Sequence, residues 1–420
     1  MSEVAPVRAL KGMKDVLWPD SYRWEQLVAT FCDLAQRSGF GLVLSPILEE
    51  ARLFHRGFGD GSEVVNKEMY EFDDRDKRRL ALRPEGTAPV VRVFIEHRPN
   101  IVWKAWYVTP AFRHERPQAG RYRQHHQVGV EAIGTDDPDL DVEVISLASS
   151  LYDALGLEQV VLSINSMGCA ACRGAYIELL RAYLTEHRDE LCDEHRDKLD
   201  NPLRVFDCKR PGCRAVTENA PKLIDHLDEE CALHFARVRA GLESSGVAYR
   251  IEPRLVRGFD YYTRTTFEFA AVALDAAQNA VGGGGRYDGL VEQLGGPALP
   301  GIGFGIGIER LLLACDAEGT FQVSPPALDA FVIDSTGGEQ ARDLCAQLRK
   351  AGLGADRAYD GRSFKSQISQ ADRSGARTAV IVGPAELAAG EVTIRDLRKT
   401  KEQRRVPRSE VVDELKKRGP

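Results

Sequence analysis

The sequence predicts an α+β chain: a large body whose sheet is built from antiparallel hairpins, followed by a small α/β domain. Three observations carry that prediction. Apolar alternation at Trp106, Val108 and Phe112, and again at Val128, Val130 and Ile133, flanks a polar loop, so residues 103–134 read as one long hairpin. Gly301, Gly303, Gly305 and Gly307 alternate with Ile302, Phe304, Ile306 and Ile308, which predicts a strand with one apolar face and one bare face. After Ser324-Pro325-Pro326, a linker by composition, DAFVID is followed by a helix to Lys350, a short strand near 354–358, a helix over 364–374 and TAVIVG, an alternation that predicts a mostly parallel sheet.

Length and charge set the bounds. A chain of 420 residues exceeds one ordinary core and calls for two or three domains. No apolar run approaches the roughly 20 residues a bilayer demands, and the first residues lack the apolar stretch of a signal peptide, so a soluble cytoplasmic protein with no membrane partner is expected. The net charge of −7 argues against binding nucleic acid over a broad surface. From Ala327 onward, however, 18 Lys+Arg stand against 14 Asp+Glu, so the tail is +4 and the rest −11, which suits a localised nucleic-acid contact.

Taken in order, residues 22–38 show helical spacing at Trp24, Leu27, Val28, Phe31, Leu34 and Ala35, and Gly39 ends that helix. A strand then meets Pro46. KEMYEFDDRDKRRLAL predicts a hairpin turning at 73–78, and Arg83-Pro84-Glu85-Gly86-Thr87 marks the junction into a helix from Ala88. Glu85 and Thr87 can be helix-terminal groups or ligand-facing ones at such a junction. The loop of the long hairpin holds Arg113, Arg116, Arg121 and Arg123, forked donors that match phosphate oxygens.

A helix over 136–157 and a strand at QVVLSINS lead into a helical insertion, 168–246. It carries Cys169, Cys172, Cys192, His195, Cys208, Cys213 and Cys231. Cys169-x2-Cys172 and Cys192-x2-His195 fall in the spacing range of a zinc ribbon, but the stretch between them reads as helix, so reduced thiols without metal are expected. Beyond it come RLVRGFDYYTRTTFEFA, strand-like around a glycine, and GGGGRYDGL, which lacks the Lys-Ser/Thr of a phosphate loop. GIGFGIGIER also misses the dinucleotide fingerprint, since Ile306 stands where its third glycine belongs. Its bare face would let a flat ring approach the sheet.

These words together resemble one family. FRHERP…GRYRQ…HQ…E is similar to motif 2 of class II aminoacyl-tRNA synthetases as histidyl-tRNA synthetases carry it; RPEGT resembles their histidine-binding segment, RGFDYYT their signature, GIGFGIGIER motif 3, and GLVLSPILEEARLF motif 1, the dimer interface. The resemblance implies a class II antiparallel-sheet catalytic domain at 1–167 and 247–323, the insertion at 168–246, and an anticodon-binding domain at 327–420. It implies a homodimer that joins L-histidine to ATP, with Mg2+ on the phosphates and no tightly bound organic cofactor, and passes histidine to tRNA(His), releasing AMP and diphosphate.

The same resemblance assigns roles. Arg113 and Arg257 are the catalytic cations. Glu85, Gly86, Thr87, Arg113, Gln127, Glu131, Arg257, Tyr261 and Tyr262 bind histidine, with Glu131 and Tyr262 at its imidazole. Arg113, Glu115, His125 and Arg310 bind ATP, and no residue is given to a resident metal. His125 departs from the family, which usually has phenylalanine there, stacked on adenine. Trp18 ahead of Pro19 has no counterpart in the pattern. Relatives that serve as regulatory subunits of histidine biosynthesis typically lack the anticodon domain and degrade the ATP motifs, whereas this sequence has both.

Overall fold

The computed structural model of the chain describes residues 6–417 except 59–61, 63, 198, 200, 259–260, 275–278 and 399–401. It divides into two compact units, Met1–Val323 and Ser324–Pro420. In the first, α1 (Asp20–Arg37) buries Leu27, Phe31 and Ala35, four residues apart on one face, and ends where Gly39 takes a φ of +78°. Short β1 (Gly41–Leu42) and β2 (Leu48–Glu50) lead to α2 (Ala51–Phe58), and β3 (Tyr70–Asp73) with β4 (Arg79–Leu82) forms the expected hairpin. Next come α3 (Thr87–His97) and the long hairpin β5 (Trp103–Phe112) and β6 (Gln124–Ile133). α4 (Pro138–Ala154) starts from Asp137, whose side chain accepts from the Asp139 amide, and β7 (Val160–Ser166) follows.

The insertion contains α5 (Ala170–Glu186), α6 (Asp193–Arg196), a 3-10 turn at Pro202–Asp207, α7 (Pro211–Asn219) and α8 (Glu229–Ser244). Tyr176, Leu180, Leu184, Val205, Phe206 and Cys213 give it a small core of its own. Phe235, Val238 and Leu242 of α8 bury instead with α4 in the main core. The pairing of Cys169 and Cys172 with Cys192 and His195 that the spacing suggested is corrected: the two pairs lie in separate groups, one with Asp228 and Cys231, the other with Cys208 and Cys213.

After β8 (Arg250–Ile251), β9 (Thr263–Ala271), β10 (Ala280–Arg286), α9 (Leu290–Gln293), β11 (Gly301–Gly307) and α10 (Ile308–Glu318), the sheet closes in the order β1-β5-β6-β11-β10-β9-β7-β8. Its inner six strands are antiparallel, and only the short edges β1 and β8 run parallel to their neighbours.

The second unit has β12 (Ala330–Asp334), α11 (Glu339–Lys350), β13 (Ala355–Arg357), α12 (Phe364–Arg373), β14 (Thr378–Val382), α13 (Pro384–Ala389), β15 (Glu391–Asp396), β16 (Gln403–Pro407) and α14 (Val411–Lys416). Its sheet, β13-β12-β14-β15-β16, is mixed rather than mostly parallel, because β15 turns back antiparallel on β14 and pairs with β16. β16 escaped the sequence reading for a physical reason: it is a charged edge strand that buries Val406 alone.

The RYDG stretch is structural. Arg286 is fully buried, donates from Nε to Asp141 Oδ1 at 2.7 Å and from Nη1 to Asp288 Oδ1 at 3.0 Å, and reaches the carbonyls of Thr135 and Asp137, so it ties β10 to α4. Removing one partner of such a pair strands the other charge. We predict that Arg286→Met costs about 3 to 5 kcal/mol in urea denaturation; a loss below about 1 kcal/mol, the scale of a solvent-screened pair, would contradict this role.

Candidate active site

Strand register decides which side chains share a face. Across β5, β6, β11, β10 and β9, one row reads Tyr107, Gly129, Gly305, Gly283 and Glu268, and the next reads Ala105, Glu131, Gly303, Gly285 and Thr266. The opposite face carries Trp106, Val130, Phe304 and Phe267 into the main core. The polar face is therefore floored by glycines. Much of the space they vacate is filled: an added Cβ would lie 2.8 Å from Arg257 Nη2 at Gly283, 2.9 Å from Tyr262 Cδ1 at Gly285, 1.9 Å from Glu131 Oε2 at Gly303, and 2.3 Å from Tyr287 Cε2 at Gly301. Over Gly305 the nearest atoms are 3.8 Å away, and over Gly307 nothing lies within 4 Å. The expected bare face is thus bare only at the C-terminal end of β11, where α10 begins, beside a cavity of about 490 Å³.

Braced cations form the walls. Arg113 donates from Nε to the Pro84 carbonyl at 2.9 Å, and Arg310 donates to the carbonyls of Gly120 at 3.0 Å and Ala280 at 2.9 Å. Arg257 donates to Glu268 Oε2 at 2.7 Å, with its guanidinium 5.9 Å from the centre of the Tyr262 ring. Glu309 accepts from the His126 amide at 3.0 Å and meets its ring Nδ1 at 3.0 Å, fixing the start of β6 to the start of α10. Cations held this way need little reorganisation when negative charge develops between them. Burial, then Arg113 and Arg310, push the His125 imidazole down to about 3, so it is a neutral flat ring at physiological pH.

The acidic end is built differently. Glu85 accepts from the amides of Thr87 at 2.5 Å and Ala88 at 2.9 Å, so it does cap α3, while its burial raises its pKa. Thr87 Oγ1 does not cap the helix; it donates to Glu131 Oε1 at 2.7 Å. Glu131 also accepts from Tyr287 at 2.6 Å and Tyr107 at 3.3 Å.

The model of the family described as Histidyl-tRNA synthetase matches residues 12–311, and the one described as Anticodon binding domain matches residues 329–418. The chain belongs to the histidyl-tRNA synthetase family. It is 47% identical to the histidine–tRNA ligase of Rhodococcus erythropolis, covering 99% of each chain, and 44% identical to that of Halothermothrix orenii, covering 98% of this chain and 99% of the relative. Apo histidyl-tRNA synthetase of S. aureus has the same fold, with a TM-score of 0.83 at 35% identity, over 98% of this chain and 100% of that one.

Within this histidyl-tRNA synthetase fold, Glu85, Thr87, Arg113, Glu115, His125, Gln127, Arg257, Tyr261, Tyr262 and Arg310 line one cavity. Gly86 and Glu131 sit behind its wall. Gly86 is required by Tyr107, whose ring would lie 2.3 Å from an added Cβ. Glu131 is fully buried, and its carboxylate accepts from the hydroxyl groups of Thr87, Tyr107 and Tyr287. Phe259 and Asp260 of the signature lie outside the described residues. Glu268, the partner of Arg257, was missed, although β9 alternation offered a signal: Glu268 stands between Phe267 and Phe269 on the opposite face. Arg204 and Asp207 also reach the cavity, from the insertion's 3-10 turn. Nothing local in the sequence marks them.

Two predictions follow from burial. Burial raises the Glu131 carboxyl from 4.5 to about 8, outweighing its hydroxyl donors. Its contribution to stability is then full below pH 4.5 and is lost as pH rises through about 8. Glu131→Gln should flatten the melting temperature against pH across that window relative to the parent chain; an unchanged slope would mean the carboxylate is ionised throughout. For His125, replacement by phenylalanine keeps a neutral ring, so the KM for ATP in pyrophosphate exchange should stay within about threefold, under 1 kcal/mol. A rise of tenfold or more would mean that an imidazole nitrogen, not the ring face, makes the contact.

Proposed function

We propose that this chain activates L-histidine with ATP and transfers it to tRNA(His), the reaction of a histidine–tRNA ligase, at the glycine-floored cavity of the first unit. The observation that carries the reading is the convergence of three braced arginines, Arg113, Arg257 and Arg310, with an acidic and hydroxyl-rich end at Glu85, Thr87 and Gln127 in one cavity. An amino acid joined to a nucleotide needs both ends.

In this reading the ammonium of histidine meets Glu85, Thr87 and Gln127, and the imidazole meets the hydroxyl edge of Tyr261 and Tyr262. Glu131 acts as a positioning residue, holding Thr87, Tyr107 and Tyr287 from below. The histidine carboxylate attacks the α-phosphorus of ATP, a C–O–P bond forms, and pyrophosphate leaves. That step needs alignment and fixed positive charge more than a base. Arg113 and Arg257 face the α-phosphate, Arg310 the departing phosphates, Glu115 the adenosine, and the His125 ring stacks on adenine. Mg2+ would accompany the phosphates. The cavity supports it with the Glu268 carboxylate, a hard oxygen donor of the type this ion takes, and the ion would shield polyphosphate charge.

The second unit is read as the tRNA-recognition module. Tyr359 and Phe364 are exposed aromatic rings, and Arg357 lies 4.5 Å from the Tyr359 ring centre, beside a cavity of about 430 Å³ at the ends of β12 and β13. Unstacked bases favour such platforms. The exposed Leu42, Leu44, Ile47 and Leu48 support a homodimer through this segment. Among the described residues no helix is long and apolar enough to cross a membrane, and the cytoplasm, where tRNA is charged, is the proposed location.

Arg257→Ala should leave histidine binding within a few-fold yet slow adenylate formation by about 10² to 10³, the cost of removing one preorganised donor; unchanged histidine-dependent pyrophosphate exchange would remove Arg257 from the mechanism. Tyr359→Ala should lower tRNA charging at limiting tRNA and leave pyrophosphate exchange intact. A chain that binds histidine but neither exchanges pyrophosphate nor charges tRNA would favour the regulatory reading over the ligase.

A further inference from the structure

Seven cysteine and histidine side chains of the insertion take no part in the proposed chemistry, and the fold sorts them, with one aspartate, into two groups of four. In the first, Cys192, His195, Cys208 and Cys213 bring their ligand atoms within 4.8 Å of one another. Cys192 Sγ is 3.1 Å from His195 Nδ1 and 3.9 Å from Cys208 Sγ. In the second, Cys169, Cys172, Asp228 and Cys231 meet the same limit. Cys172 Sγ lies 3.6 Å from Cys169 Sγ and 3.9 Å from Cys231 Sγ, and Cys169 Sγ lies 2.9 Å from Asp228 Oδ2.

These separations have a geometric meaning. Zinc–sulfur arms of about 2.3 Å in a tetrahedron give sulfur–sulfur edges of about 3.8 Å, whereas a disulfide bond is about 2.05 Å long. All these cysteines are free thiols, spaced as tetrahedral edges and not as bonded pairs. We propose that the insertion is a two-zinc module, with one structural zinc in the Cys192/His195/Cys208/Cys213 site and another in the Cys169/Cys172/Asp228/Cys231 site.

Three further observations point the same way. Each site has a backbone amide aimed at a sulfur: the Cys192 amide donates to Cys213 Sγ at 3.3 Å and the Cys169 amide to Cys172 Sγ at 3.1 Å, the outer hydrogen bonds that orient metal ligands. Each site also depends on a glycine. A Cβ on Gly168 would lie 2.5 Å from Cys172 Sγ, and one on Gly212, between Pro211 and Cys213, would lie 2.5 Å from the Glu190 carbonyl oxygen. Finally, Asp228 divides its carboxylate: Oδ1 caps α8 through the Cys231 amide at 2.8 Å, leaving Oδ2 turned to the sulfurs.

The chemistry assigns a structural role. Each site offers four protein ligands, so the tetrahedron is complete and no position is left for substrate. The first site also closes a stretch in which α6 is only four residues long and a 3-10 turn at Pro202–Asp207 precedes α7. Arg204 and Asp207 project from that turn into the substrate cavity, and Cys208 follows directly. Zinc there would fix the turn that carries them.

The test is metal content of the full-length, tag-free chain purified without chelator. Two zinc ions per chain are expected, with one lost in Cys208→Ser and the other in Cys231→Ser. Because either variant could fail to fold, the parent chain is also titrated with a mercurial: zinc should be released with three thiols consumed per ion at each site. Cobalt in place of zinc should give intense tetrahedral bands with thiolate charge transfer. One ion per chain, unaffected by Cys231→Ser, overturns the aspartate site. A folded chain with substoichiometric zinc and thiols that react without metal release overturns both.

Discussion

The close register of glycines in β10 and β11 is the constraint on which the rest of this site depends. Gly283 faces Gly305 and Gly285 faces Gly303, so a broad patch of the central sheet has no side chains on its polar face. The vacancy is put to two uses. Over Gly283, Gly285, Gly301 and Gly303, side chains from distant segments lie against bare backbone: Arg257, Tyr262, Tyr287 and Glu131. Over Gly305 and Gly307 the floor stays open. One pattern of alternate glycines thus seats the functional groups at fixed depth and leaves room for a substrate beside them, while Ile302, Phe304 and Ile306 on the other face anchor the strand in the main core.

Rigidity is supplied from outside that patch. The arginines of the cavity are held by carbonyls at Pro84, Gly120 and Ala280 or by Glu268, so each is tied to a segment other than its own. Arg83 works in the same way one step removed. It donates to the Pro110 carbonyl at 2.9 Å and to Ser45 Oγ at 2.9 Å, locking the RPEGT junction between the long hairpin and the segment before β2. Such bracing matters because the stabilisation of developing phosphate charge falls steeply when a donor must first move.

Much of this was legible in the sequence because periodicity and glycine placement are local properties. The long hairpin, the bare strand, α1 and its stop at Gly39, and the convergence of RPEGT, the arginine loop and RGFDYY were all readable from spacing or motif resemblance. What escaped was decided by tertiary contact. Glu131 has the sequence context of a ligand-facing group, and its burial follows from bringing α3, β5 and the residue after β10 together over it, through Thr87, Tyr107 and Tyr287. Arg204 and Asp207 enter the cavity from the insertion, and no spacing rule connects them to Arg257. The cysteines mislead for the same reason: Cys169 and Cys192 look like halves of one site by count, but α5 separates them, and the partners of Cys169 arrive with α8. β16 was too charged to announce itself as a strand.

The central claim is that open space above Gly305 is where activation occurs. Gly305→Ala tests it most directly, because the nearest atoms to an added Cβ are 3.8 Å away, an ordinary contact, so the fold should tolerate the methyl while the cavity floor does not. Histidine-dependent ATP–pyrophosphate exchange by this variant should fall by about tenfold to a hundredfold, the scale of 1 to 3 kcal/mol for an unwanted methyl group in a fitted site, with an unchanged urea midpoint. Exchange at the parent rate would contradict the account.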